Sequence, residues 1–125
     1  MGRKLDTDVL LAETTWEAVA AMVLLRPHGG IGNGKCERCG KQRATHPHHR
    51  MLRSQGGPDN PSNIAALCTE CHRWCHENPA EATEAGWIVQ APGGFRAIPV
   101  RLWNGILTRL TDDYGYDIIE WPAST

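Results

Sequence analysis

Apolar residues Trp16, Val19, Ala20, Val23 and Leu24 recur at the spacing of one helical face. Before them, Thr14-Thr15-Trp16-Glu17 has the form of a capping box, with Thr14 at the cap and Glu17 three residues on. Pro27 and Gly29-Gly30 stop the run, so the pattern predicts a helix over 14–26. Upstream, a loosely structured lead-in is expected, with a short helix at Val9–Ala12. Residues 28–34 read as a Gly-rich linker, and with no strand before them they are not a nucleotide-binding loop. Ala44–Met51 reads as a strand that carries His48 and His49 on opposite faces. Ser54–Ser62 is a loop by composition, and Ile64–Cys68 a short apolar run. Thr69–Asn78 reads as a helix ended by Pro79, and Pro79–Gly86 as a second short helix with Gly86 as its stop. Trp87–Gln90 and Ala97–Trp103 are expected to pair as a β-hairpin (87–103) around Pro92-Gly93-Gly94. Gly105–Leu110 is a further apolar segment, and the acidic tail from Asp112 suggests no role. These elements describe one α+β domain over 1–125.

Composition changes that picture in one respect. Hydrophobic residues are 41% of the chain, slightly below an ordinary globular composition, with one Phe and two Tyr beside five Trp. A core this light benefits from a structural metal. Net charge is −1, so no global basic signature is present, but charge is unevenly placed. Lys35, Arg38, Lys41, Arg43, Arg50, Arg53 and Arg73 face only Glu37, Asp59 and Glu70 over residues 35–76, whereas residues 77–125 are acidic. A local basic patch is what a phosphate backbone requires. By itself it equally describes a solvated face. No apolar stretch long enough to span a membrane and no secretory signal is read, and a cytoplasmic protein with reduced cysteines is expected.

The chemistry is concentrated in the middle of the chain. Cys36-Glu-Arg-Cys39 and Cys68-Thr-Glu-Cys71 are two knuckles able to aim four thiolates at one ion, the donor set of a closed structural zinc site. Residues 40–67 separate them, more than the ~15–20 usual for the pattern, so a functional loop is inserted across the clamp. A redox dithiol needs a thioredoxin-like βαβ context, which is absent. Cys75 is left over as a buried thiol. His48 and His49 lie inside the insert, while His72 and His76 sit four apart and share a helix face that can chelate a second, open metal site. One imidazole can then ligate while its neighbour takes a proton from water. A purely structural two-zinc finger is the bland alternative.

At these residues the chain resembles the HNH endonuclease family, of the ββα-metal (His-Me finger) fold with a four-cysteine zinc clamp. The matching text is Cys36-x-x-Cys39-Gly40, His48-His49, Gly56-Gly57-Pro58-Asp59, Asn63-Ile64, Leu67-Cys68-x-x-Cys71-His72 and His76. The flanking helix and hairpin resemble small phage-encoded members. The resemblance implies a metal-dependent DNA endonuclease that leaves 5′-phosphate and 3′-hydroxyl ends, nicking or cutting both strands. His49 would be the general base, and Asn63, preferred to Asn60, would pin the loop. His48 and His72, with His76 as third ligand or close partner, would hold Mg²⁺, Mn²⁺, Ni²⁺ or Zn²⁺. Arg43, Arg50 and Arg53, with Lys41 behind them, are the candidate phosphate contacts. A proline-containing turn that the family often carries after the base is replaced here by Arg50-Met51-Leu52-Arg53. The alternatives are a non-catalytic zinc-finger DNA-binding module and a nuclease subunit that works with phage terminase or packaging proteins.

Overall fold

The computed structural model describes residues 15–28, 31–32, 34–90 and 94–122. The expected helix at Val9–Ala12, the Thr14 cap and the Pro92-Gly93 turn lie outside these residues. Helix α1 spans Trp16–Leu24. Its cap is Thr15, one residue later than the capping-box reading: Thr15 has extended backbone and its hydroxyl accepts from the Ala18 N–H at 3.3 Å. Two-residue strands β1 (Pro27–His28) and β2 (Ile31–Gly32) follow as an antiparallel pair.

The centre of the molecule is a ββα unit. Strand β3 (His46–His49) pairs antiparallel with β4 (Ile64–Leu67), placing His48 opposite Ala65 and His49 opposite Ile64. The chain then enters α2 (Thr69–Glu77) and, after Asn78, α3 (Pro79–Glu84). Strand β4 is buried on both faces, which explains its uninterrupted apolar sequence. Ile64 and Ala66 pack with Val19 and Val23 of α1. Ala65 and Leu67 pack with the cysteines, Trp87 and the C-terminal sheet.

A C-terminal hairpin exists, but not over 87–103. Strand β5 (Val100–Arg101), β6 (Leu107–Leu110) and β7 (Tyr116–Glu120) form a three-stranded antiparallel sheet in that order, and the acidic segment supplies its last strand. Residues 87–90 are not a strand because their backbone is already engaged. Trp87 O accepts from His48, Gly86 O accepts from Arg50, and the Val89 N–H donates to Arg50 O. The segment is a buried strap behind β3, not half of a ladder.

Three buried charged residues, Glu37, Arg26 and Arg50, stitch the layers. Glu37, inside the first cysteine knuckle, accepts from the Ala66 N–H at 2.8 Å and the Tyr116 hydroxyl at 2.5 Å. Arg26 Nε stands 3.2 Å from the same carboxylate, in ion-pair contact but without hydrogen-bond alignment. Arg50 is fully buried and donates to four carbonyls, those of Gly86, Ser62, Phe95 and Ile98. Arg50 is therefore not a phosphate contact; it ties β3 to the Ser62 turn and to the segment before β5. No helix of the described residues is long and apolar enough to cross a membrane.

Candidate metal centres and active-site cleft

The two knuckles close on each other. Cys36 and Cys39 lie on the turn before β3, Cys68 at the end of β4 and Cys71 in the first turn of α2, and their four sulfurs are all within 4.8 Å of one another. Cys39 Sγ and Cys68 Sγ are 3.9 Å apart, close to the edge of a tetrahedron built on Zn–S bonds of about 2.3 Å. Each sulfur accepts a hydrogen bond that favours its thiolate form. Cys39 Sγ accepts from the Lys41 N–H, Cys36 Sγ from the Cys39 N–H, Cys68 Sγ from the Cys71 N–H, and Cys71 Sγ from Arg38. Against the effect of burial, the Gln42 and Lys41 backbone N–H groups draw the Cys39 thiol down to about 7. Burial pushes Cys36 and Cys71 up, so these two need a cation beside them to remain thiolates. The four cysteines are positioned for a zinc site. Cys75 is buried nearby, its thiol pushed up to about 11 by burial, and lies outside the four-sulfur group.

The second centre is built by the same elements. Strand β3 contributes His48, and α2 contributes His72 and His76 one turn apart; their ligating nitrogens lie within 4.8 Å of one another. His72 Nε2 and His76 Nε2 approach to 3.2 Å with ring planes at 90°, the separation of two nitrogens sharing one ion at about 2.1 Å. His48 is 3% exposed, and its Nε2–H donates to Trp87 O at 2.7 Å. That bond fixes the tautomer and leaves Nδ1 free to ligate, the usual arrangement of a metal-binding histidine held from behind by a carbonyl. Burial, assisted by His72 and His76, pulls the His48 pKa down to about 4, so the ring is neutral at physiological pH as a ligand must be. Burial, then His76 and His46, lowers His72 as well. The residues present fit a divalent ion with an open coordination position.

His49 points to the other side of β3 yet borders the same cleft, about 260 Å³, together with His48, Leu52, Arg53, His72 and His76. Asn63 is fully buried below it. Its Oδ1 accepts from the Met51 N–H at 2.9 Å, while Nδ2 donates to Met51 O and Pro58 O, both at 3.0 Å. The amide thereby pins the loop between β3 and β4. Asn60, the rival, makes no side-chain cap bond. Gly57 is required here, because a Cβ would stand 1.8 Å from Met51 O.

Of the candidate phosphate contacts, Arg53 alone lines the cleft. Lys41 and Arg43 are exposed on the cysteine turn, and Arg43 borders a separate depression with Lys35. Another hollow of about 220 Å³, beside Asp112, is lined by charges that satisfy one another, Arg96 with Asp112 and Arg109 with Asp117.

Three residues to which the sequence reading gave no site role stand at the site. Asp59 accepts from His49 Nε2 at 2.8 Å and from Arg53 Nε at 3.1 Å. Trp16 lies 4.8 Å from the His49 ring and carries the Arg53 guanidinium 4.7 Å above its own ring. His46 stacks on His72 at 4.8 Å. The only sequence signals were the Asp after Gly-Gly-Pro, a Trp at the first turn of α1, and the two-residue spacing of His46 from His48.

Residues 36–78, about a third of the chain, match the family model of the HNH endonuclease. The matched segment holds the zinc-type knuckles, β3, β4 and α2. Helix α1 and the C-terminal sheet lie outside the match. No curated protein and no solved structure matches the chain.

Proposed function

We propose that this protein is a metal-dependent DNA endonuclease in which His49 is the general base and His48, His72 and His76 hold one divalent ion. The observation that carries this reading is the convergence of three imidazole ligands on one point beside a fourth imidazole in the same cleft. When bound, the ion would supply Lewis-acid stabilisation of the charge that gathers on the scissile phosphate and on the departing oxygen. His49 takes a proton from water as the water oxygen bonds to phosphorus. The bond from phosphorus to the 3′ oxygen breaks in line with that attack, and the 3′ oxygen is protonated by solvent. The ends are a 5′-phosphate and a 3′-hydroxyl. Arg53 meets the phosphate at the cleft, while Arg43 and Lys41 are more distant contacts for the DNA backbone. Asn63 keeps the loop that carries Asp59 fixed against the strand that carries His49. Zinc at the four cysteines acts as the clamp on which both metal-bearing elements are hung.

The test is incubation of zinc-loaded protein with supercoiled plasmid in the presence of Mg²⁺, Mn²⁺, Ni²⁺ or Zn²⁺, with the product ends then challenged by DNA ligase. Conversion to open-circular or linear DNA that ligase can reseal is expected. DNA binding without strand breakage under every ion would instead identify a non-catalytic zinc-finger module.

A further inference from the structure

Asp59 contacts two residues of the cleft lining, His49 and Arg53, and a carboxylate so placed is unexpected beside a site meant for a polyanion. It stands on the loop pinned by Asn63, 42% exposed, and the same oxygen, Oδ1, accepts from His49 Nε2 at 2.8 Å and from Arg53 Nη2 at 3.1 Å. The hydrogen bond from His49, with help from Arg53, holds the Asp59 carboxyl below the usual carboxylate range. A carboxylate can only accept, so Nε2 must carry the proton of that bond. The lone pair available for catalysis is then on Nδ1. The His49 side chain is only 12% exposed, and Trp16 packs against its ring at 4.8 Å, so the ring is restrained on its face as well as at its edge.

We infer that Asp59 is the positioning residue of the base: by holding His49 Nε2–H it sets the imidazole tautomer and orientation so that Nδ1 accepts the proton from water. In the reaction, the water proton moves to Nδ1 while the Nε2 proton stays on the bond to Asp59. The carboxylate balances the imidazolium that results, without itself being protonated. Arg53 plays a separate part. Its contacts with Asp59 and with the face of Trp16 keep the guanidinium at the rim of the cleft, where a phosphate can draw on it. Trp16 belongs to α1, outside the segment that matches the family, so this chain braces its base with an element of its own.

The inference rests on the nuclease reading, and the experiment separates the two. Steady-state plasmid cleavage is compared for the zinc-loaded wild type, Asp59→Ala, Arg53→Ala and the double variant, with zinc content and melting temperature recorded for each. Asp59→Ala is expected to lower kcat by about tenfold to a hundredfold, on the scale of lost general-base positioning, with KM changed less than about twofold. Because Asp59 also holds Arg53, the two losses are expected to overlap in part, but most of the Asp59→Ala loss should persist in the Arg53→Ala background, since the bond to His49 does not depend on the guanidinium. In parallel, long-range ¹H–¹⁵N spectra should show a His49 Nε2 proton protected from solvent exchange in the wild type and lost in Asp59→Ala. Equal kcat for Asp59→Ala, or an effect that vanishes once Arg53 is removed, overturns the positioning role while leaving the nuclease reading intact. A wild type that cuts nothing with any ion overturns the nuclease reading, and the positioning role falls with it.

Discussion

Replacing Arg50 by methionine removes the guanidinium and keeps most of the side-chain volume, so it isolates the polar contribution of this buried residue. Two effects compete. Burial pulls the guanidinium pKa down to about 10, which at about 1.4 kcal/mol per unit is a cost of roughly 3 kcal/mol for keeping the charge inside. Against it stand four bonds from a charged donor to the carbonyls of Gly86, Ser62, Phe95 and Ile98, each worth about 1.5–3 kcal/mol. The bonds win. Their loss leaves four carbonyls without this donor, and Arg50→Met should destabilise the protein by about 4 kcal/mol. At roughly 2 cal/mol/K of unfolding entropy per residue, this lowers Tm by about 15 °C. Circular-dichroism melting of the zinc-loaded wild type and variant measures the difference. A surface phosphate contact behaves otherwise: stability within about 0.5 kcal/mol of wild type, with DNA affinity weakened and its salt dependence reduced. That second outcome would refute the structural role derived for Arg50.

Three further outcomes follow from the same geometry. Stripping zinc with a strong chelator, or Cys68→Ser, should unfold the ββα unit together with the clamp, since Cys68 also ends β4 and caps α2; far-UV circular dichroism and zinc release should change in parallel. Trp16→Ala should lower kcat about tenfold and shift the His49 ring-proton resonances, with Trp16→Phe restoring most of both. The third concerns alkaline stability. Burial and the neighbouring Glu37 carboxylate raise the Tyr116 pKa far above the ordinary value of 10.0. The unfolded chain therefore ionises first, and the stability this group contributes is complete below pH 10 and is lost progressively as pH rises above it. In denaturant melts between pH 8 and 11, Tyr116→Phe should start less stable by about 1 kcal/mol and fall less steeply above pH 10.

What could be read from the chain was local. The knuckles, the His-His strand, the helix that carries His72 and His76, and the short apolar run before it each follow from spacing within about ten residues, and all stand where those patterns put them. Long-range pairing was not readable. Arg50 looked like its exposed neighbour Arg53 because a guanidinium carries the same charge wherever it lies. Its burial depends on carbonyls 12 to 48 residues away in sequence, three of them 36 or more. The hairpin expected over 87–103 failed for a related reason: the side chains of His48 and Arg50 claim the backbone that a partner strand would have used. Asp59 and Trp16 reach His49 from a loop and a helix that carry no mark of that meeting. The cap of α1 moved from Thr14 to Thr15 because two adjacent threonines offer the same hydroxyl, and the backbone angles choose between them.

The proposed chemistry meets its most direct test in one rate: plasmid nicking by His49→Ala at a fixed concentration of the most effective divalent ion, with zinc content shown equal to wild type. The proposed mechanism predicts a rate at the background of protein-free DNA, with metal binding by the other three histidines retained. Nicking by His49→Ala at a rate close to wild type would contradict it, since the proton would then be leaving water by another route.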